Sequence, residues 1–360
     1  MPCFERDWTA EQVLDAIREL PIEKACLMEV CGTHTVSIAR SGIKRMLPPN
    51  IQLLSGPGCP VCVTPTSDID TILDLAMEKD IIIATYGDML RVPGSRHGDS
   101  LRRRGSEGAR VKMVYSPLDA VALAEKNPDK QVVFLGVGFE TTAPGTAIAV
   151  GQAQEKGLQN FTVLPLLKTV KPALETLIAQ PDFAVDGFLC PGHVAVITGA
   201  EYFRFLPEQY HRAAVVAGFE PMDILLSVYH LLQQLAKGEP TLENEYTRAV
   251  PKEGNPLALQ ALEKYFMPCD AVWRGLGMIP QSGLTLREAY RDYDAVARFG
   301  LELGKAEKPS ACQCGQVITG HCPPQECPLF GKVCVPENPV GPCMVSGEGA
   351  CAAAYQYQEV

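Results

Sequence analysis

Seven short apolar runs recur between residues 25 and 218: ACLMEV (25–30), IQLLS (51–55), IIIATY (81–86), QVVFLGV (131–137), FTVLPL (161–166), DGFLC (186–190) and AAVVAG (213–218). Most are followed by glycine or proline and then by a helical pattern. Runs with so little polar alternation are expected where helices cover both faces of a parallel sheet. A weak echo runs through them, because the first three end in VCGTHT, SGPGCP and ATYGDM and later ones in GVGFETT, LCPGHV and VAGFEPMD. The expected fold is therefore α/β, with two similar doubly wound parallel-sheet domains, 21–128 and 129–238, meeting at their loop edges. In such sheets sites gather at the carboxyl ends of the strands.

After about Leu235 helical patterns such as TLREAYRDYDAVARFG replace the strand runs, and from Ser310 cysteine, proline and glycine dominate. A third, mainly helical, Cys-rich domain stapled by a cofactor is expected over 239–360. Thr9 and Gln12 form a capping-box pattern, and Val13, Leu14, Ile17 and Leu20 recur at helical spacing, so a helix is expected there. It is expected to pack on the third domain.

A chain of 360 residues, 46% apolar and 21% charged, is ordinary globular material. Its net charge of −10 argues against general binding to nucleic acid or acidic membrane, and the basic stretch Arg91–Lys112 reads as a solvated loop and helix face. Glu5, Arg6 and Asp7 stand where a signal peptide would need its apolar core, and no apolar run reaches the roughly 20 residues of a membrane span. A cytoplasmic location is expected. There thiols stay reduced, so the 14 cysteines, seven of them between Cys312 and Cys351, point to metal binding or electron exchange rather than to disulfide staples.

Four groups carry chemistry. In GPGCPVCVTP (56–65), Cys59 and Cys62 precede a helix that Pro65, Thr66 and Asp68 suit as its start. A helix N-terminus favours thiolate. A lone C-x-x-C is a redox pair, half of a zinc site or two buried thiols. Zinc needs two more ligands, and none follows at ribbon spacing, which favours redox or metal exchange. In EVCGTHT, Cys31 ends a strand and His34 opens a helix; thiolate and imidazole together suit iron(II) or zinc, or make a nucleophile pair. Glu140 in GVGFETTAPG and His193 in CPGHVAVITG are polar groups placed for proton transfer or orientation at the cleft, with a helix-capping role equally open for His193.

The fourth group is the carboxyl-terminal cluster. Cys312, Cys327, Cys334 and Cys351 are spaced C-x14-C-x6-C-x16-C among prolines and glycines, which favours an iron–sulfur cluster over zinc knuckles. Cys314 could replace Cys312, and Cys322 and Cys343 are unassigned. Cys3, Cys26, Cys190 and Cys269 read as small buried hydrophobes.

Taken in order, CGTHT, GPGCPVCVTP, GFETTAPGT, PGHVAVITG and CPLFGKVCVPENPVGPCMVSGEGACAA resemble the HypD family of NiFe-hydrogenase maturation factors over nearly the whole chain. The resemblance implies a redox-active scaffold, rather than a conventional turnover enzyme, on which an Fe(CN)2CO unit is assembled for the hydrogenase large subunit. It implies a small HypC-type chaperone that supplies a cysteine ligand and a HypE-type partner that delivers cyanide. On these residues Cys31 would hold the iron with His34 nearby, Cys59 and Cys62 would be the redox pair, and Glu140 and His193 would line the cleft. A 4Fe-4S cluster on the carboxyl-terminal cysteines would feed electrons toward the pair. The rival reading is a 4Fe-4S-dependent thiol–disulfide oxidoreductase acting on a protein partner.

Overall fold

The computed structural model describes residues 8–96, 98–305 and 310–357. Eleven strands form two sheets: β1 (Ala25–Glu29), β2 (Ile51–Ser55), β3 (Ile81–Thr85), β4 (Arg110–Met113), β5 (Gln131–Gly138), β6 (Phe161–Lys168), β7 (Gly187–Pro191), β8 (Ala213–Ala217), β9 (Leu242–Asn244), β10 (Phe266–Trp273) and β11 (Gly277–Leu286). The first sheet runs β2-β1-β7-β8-β9 and is parallel throughout. The second runs β10-β11-β6-β5-β3-β4; its β6-β5-β3-β4 part is parallel, and β10–β11 is an antiparallel hairpin added at its edge. All seven apolar runs are strands, and β1, β3, β7 and β8 are buried along their whole length.

The division at 128/129 does not match the sheets. The chain builds β1 and β2 of the first sheet, crosses to build β3–β6 of the second, then returns to the first for β7–β9. A strand, a glycine turn and a helix look alike whichever sheet receives them, so periodicity finds strands but not their neighbours. Nor is the region after residue 239 a separate helical body. β9 completes the first sheet and the hairpin extends the second, while short helices Cys314–Ile318 and Ala350–Gln356 carry the Cys-rich stretch. Buried Cys314, Val317, Cys343 and Cys351 share one core with Cys59, Cys62 and strands of both sheets.

The helix Ala10–Glu19 starts where the capping box places it, with Gln12 N–H donating to Thr9 Oγ1 and Thr9 N–H to Gln12 Oε1. It buries Val13, Leu14 and Ile17 against the first sheet and helix Pro221–Lys237, with Trp8 5.6 Å from Tyr229, and not against the Cys-rich stretch. That helix offers an apolar face long enough to receive it, which the Cys-rich stretch does not. Among the described residues no helix is long and apolar enough to cross a membrane.

Each sheet has a switch point, where successive connections leave in opposite directions and a crevice opens at the carboxyl ends of the strands. In the first sheet it lies between β1 and β7, so the loops carrying Cys31 and His193 flank it. In the second it lies between β3 and β5, flanked by the turn Gly87–Arg91 and by Glu140.

Candidate functional site

Neighbouring parallel strands β1 and β2 deliver their loops side by side. Cys31, extended at φ −148° and ψ 123°, is the cap residue of helix Gly32–Ser41. Cys59 caps a one-turn helix, Pro60–Val63, its sulfur accepting the Cys62 amide at 3.1 Å. The longer helix expected after the pair starts at Thr66, with Pro65 as its cap residue. Backbone lies directly on backbone between the two loops: Gly56 N–H donates to Glu29 O (2.7 Å) and Gly32 N–H to Gly58 O (3.1 Å). Gly58 makes this possible, because a Cβ there would stand 2.3 Å from the Cys31 nitrogen and 2.5 Å from its Cα. The loops are thereby locked together, and Cys59 and Cys62 are joined as a disulfide with Cα atoms 5.2 Å apart.

Cys31 is buried, and two carboxylates bear on it that sequence reasoning missed. Glu29, at the end of β1 and 1% exposed, accepts the Cys31 amide through Oε2 (3.0 Å) and the Thr35 hydroxyl through Oε1 (2.5 Å). Glu348 accepts the Thr33 hydroxyl (2.9 Å) and closes over Gly32, where a Cβ would meet the Glu348 Cβ at 2.4 Å. Burial, then the Glu348 charge, pushes the Cys31 thiol up to about 12, although the His34 and Thr33 amides pull it down. A thiol so held is a neutral S–H at pH 7, and a metal that binds it must displace the proton. The signal for Glu29 is present in the sequence as the one charge in ACLMEV; Glu348 offers none.

His34 is fully buried one turn along. Its Nε2 is 2.9 Å from Gly218 O, beyond the end of β8, so this nitrogen carries the proton and donates. Its Nδ1 has no hydrogen-bond partner among the described residues, and burial pushes the imidazole down to about 4. The ring stacks on Phe219 at 4.8 Å, and His193 stacks on the same Phe219 at 3.8 Å. The structure thus brings Cys31, His34 and His193 to one crevice. Helix Gly192–Thr198 has no side-chain cap bond, which disposes of a capping role for His193.

Glu140 belongs to the second sheet's edge. Its Oε1 accepts the Val170 amide (2.9 Å), at the start of helix Val170–Ile178, and the Tyr202 hydroxyl (2.7 Å); Oε2 is buried without a partner. Burial raises its pKa. Its neighbour Phe139 stacks on Trp273 at 5.8 Å, and the next residue, Arg274, grips the disulfide turn. Arg274 donates to Cys62 O (3.1 Å), Thr64 O (2.7 Å) and the Thr66 hydroxyl (2.7 Å), and its own amide to Val63 O (2.9 Å). Those oxygens end a helical turn, where a cation is favoured.

The carboxyl-terminal cysteines gather beside the same turn. Helix Cys314–Ile318 and the turn Pro342–Met344 both pack on Pro60–Val63. Cys312, Cys314, Cys343 and Cys351 act on one another in sequence, with the Cys351 amide donating to Cys343 Sγ at 3.3 Å. Cys334, whose sulfur accepts the Val340 amide at 3.4 Å, feels Cys312 and Cys327. The neighbouring Cys314 and then burial hold the Cys312 thiol above the usual range; Cys314 is pulled down by Cys312 but raised by Cys343 and burial, and Cys334 is raised by burial. Among the described residues no three His, Cys, Asp or Glu side chains converge to hold a single ion. Cys322 stands half-buried at the margin, 3.8 Å from Gln313. Cys26 and Cys190 are buried as read, Cys269 is partly exposed, and Cys3 lies outside the described residues.

Comparison with known proteins follows the same residues. A family model named HypD and described as "Hydrogenase formation hypA family" matches residues 8–358. The chain is 46% identical to hydrogenase maturation factor HypD of Escherichia coli K12 over 334 residues, covering 92% of this chain and 89% of that protein. It is 45% identical to the Rhodobacter capsulatus factor of the same name, covering 97% and 92%, and 45% to that of Azotobacter vinelandii, covering 92% and 89%. Four motifs at the carboxyl edges of two sheets, a fifth in the Cys-rich stretch packed beside them and a match along almost the full length lead to one conclusion: the chain belongs to the HypD family of hydrogenase maturation factors.

Proposed function

We propose that this protein is a cytoplasmic redox-active scaffold on which the Fe(CN)2CO unit is built, with Cys31 as the iron ligand and Cys59–Cys62 as the reserve of reducing equivalents. The observation that carries the reading is the Gly58–Cys31 backbone contact, which fixes a lone buried thiol against a cysteine pair able to cycle. The iron is cargo, and its route ends at the hydrogenase large subunit. A HypC-type chaperone supplies a second cysteine to it, and a HypE-type partner brings cyanide as a thiocyanate.

The chemistry balances on this chain's own groups. A thiocyanate R–S–CN needs two electrons and two protons to yield R–SH and HCN. The Cys59–Cys62 dithiol supplies both as it closes to the disulfide, so the bonded pair is the spent form. Glu29, a carboxyl that burial pushes up to about 7, sits within hydrogen-bond reach of the Cys31 backbone to keep this loop in place as the thiol loses its proton. Neutral His34 and stacked His193 orient the cyanide-bearing side of the crevice. Arg274 holds the disulfide turn through its carbonyls while the S–S bond opens and closes.

Cys312, Cys327, Cys334 and Cys351 are the residues to hold a 4Fe-4S cluster. Several thiols strung through one nest, Cys334 beside Cys312 and Cys327 and Cys351 beside Cys343, suit a body several atoms across. When bound, the cluster would supply electrons singly at low potential. An oxidoreductase acting on a partner protein's disulfide fits less well, because Cys59 and Cys62 are only 5% and 0% exposed and offer no open face to a disulfide held in a folded partner.

Hydrogenase maturation by Cys59→Ala and Cys62→Ala variants tests the reading. Maturation should be lost while iron and sulfide in the folded chain stay at wild-type levels; retained maturation refutes the redox role.

A further inference from the structure

The basic stretch Arg91–Lys112 carries seven Arg or Lys against Asp99 and Glu107, within a chain whose net charge is −10. It does not merely face solvent. It forms one side of a groove of about 1480 Å³ whose other side is the Cys-rich stretch, including Cys312 and Cys314. Arg91, Arg96, Arg102 and Lys305 all reach this groove and are exposed. The carboxylates that also reach it are mostly engaged: Asp70 accepts the Ser95 amide, Asp74 holds Arg96 at 2.8 Å and Asp99 holds Arg104 at 2.6 Å. Glu337 stands alone on the Cys-rich side.

Two cations keep their charge. Arg91 donates to the neutral Val345 carbonyl (3.3 Å), and Arg102 has no ion-pair partner among the described residues. Val333 and Val340, exposed by 54% and 36%, add apolar surface to the opposite side. Apolar patches ringed by charge are what a protein partner covers. Electron tunnelling falls steeply with distance, and here half-buried Cys312, at the edge of the nest, lines the groove beside positive charge.

We propose that this groove is the docking face for a small acidic protein that carries one electron at a time. The inference rests on the redox reading above and names its missing partner. Each of two reduced carriers is oxidised by one electron. The Cys59–Cys62 bond takes the pair of electrons and two protons from solvent and breaks to two thiols. Burial keeps the pair from meeting a carrier directly, so the donor must dock where the nest comes nearest the surface, at half-buried Cys312.

The probe is an acidic [2Fe-2S] ferredoxin, titrated at low salt against the full chain, with binding and newly formed thiols both measured. R91E/R102E should bind at least about tenfold more weakly, and salt should weaken wild-type binding far more than the variant's. Arg102→Glu alone, which breaks no hydrogen bond or ion pair among the described residues, should lose part of that affinity. Dithiothreitol should open the disulfide equally in all three. Unchanged ferredoxin binding in both variants overturns the docking face and leaves the redox site standing. A disulfide that dithiothreitol cannot open in the native chain refutes the redox reading, and this inference with it.

Discussion

Gly58→Ala puts one methyl group into the contact on which the site depends. The added carbon would lie 2.3 Å from Cys31 N and 2.5 Å from both Cys31 Cα and Val30 C. All three are backbone atoms, so no side chain can swing aside, and the loops must part by about 1 Å to restore ordinary contact. Forcing a methyl into packed structure costs about 1–3 kcal/mol. Weakening the Gly32 N–H bond to Gly58 O adds about 1 kcal/mol, for a total of about 2–4 kcal/mol. Urea unfolding reads the loss, and peptide-resolved alkylation should show Cys31 reacting faster as its cover lifts. Gly105→Ala is the control: nothing lies within 4 Å of its added carbon, and its helical position should gain slightly. If Gly58→Ala unfolds within about 0.5 kcal/mol of wild type, the loops are not locked as described.

Arg274→Lys should cost about 2–4 kcal/mol in urea unfolding, because an ammonium cannot span Cys62 O, Thr64 O and the Thr66 hydroxyl at once; a neutral result removes the clamp from the account. His34 has its pKa depressed in the fold from 6.5 to about 4, so its contribution is whole above pH 6.5 and is lost as pH falls toward 4. His34→Gln, which keeps a donor for Gly218 O, should therefore remove up to about 3 kcal/mol of the acid-side loss of stability seen in unfolding at pH 4 against pH 7. Iron and acid-labile sulfide should each approach about four per chain and fall together in Cys334→Ala; stoichiometric zinc without sulfide is the contrary result.

The buried parallel strands were legible because each is a compact apolar run, and the capping box announced the first helix. The strands that escaped are β4, β9, β10 and β11. β4 is a charged edge strand, RVKM, and the hairpin mixes exposed and buried residues without regular alternation around Gly275 and Gly277, which hold φ of +81° and +75°. Helical spacing in TLREAYRDYDAVARFG masked the end of β11 at Leu286, after which the chain forms a tight turn of helix, Glu288–Tyr293, and the short helix Ala295–Phe299. Cys31, His34, Cys59, Cys62 and His193 could be placed together because loops at the carboxyl edge of a parallel sheet share a crevice. Arg274 and Glu348 could not. Arg274 meets Cys62 across 212 residues and Glu348 meets Thr33 across 315, and such contacts exist only once the sheets and the Cys-rich stretch have docked. Glu140 sits apart from that crevice for a related reason: its strand belongs to the second sheet, where the carboxylate ties the end of β5 to a helix start and to Tyr202.

The most direct test of the central claim is an infrared spectrum of this protein purified with its HypC-type chaperone. Cyanide and carbonyl stretches should be present in the wild type and absent from Cys31→Ala, with the chaperone still bound. Stretches that persist in Cys31→Ala would contradict the assignment of that buried thiol as the iron ligand.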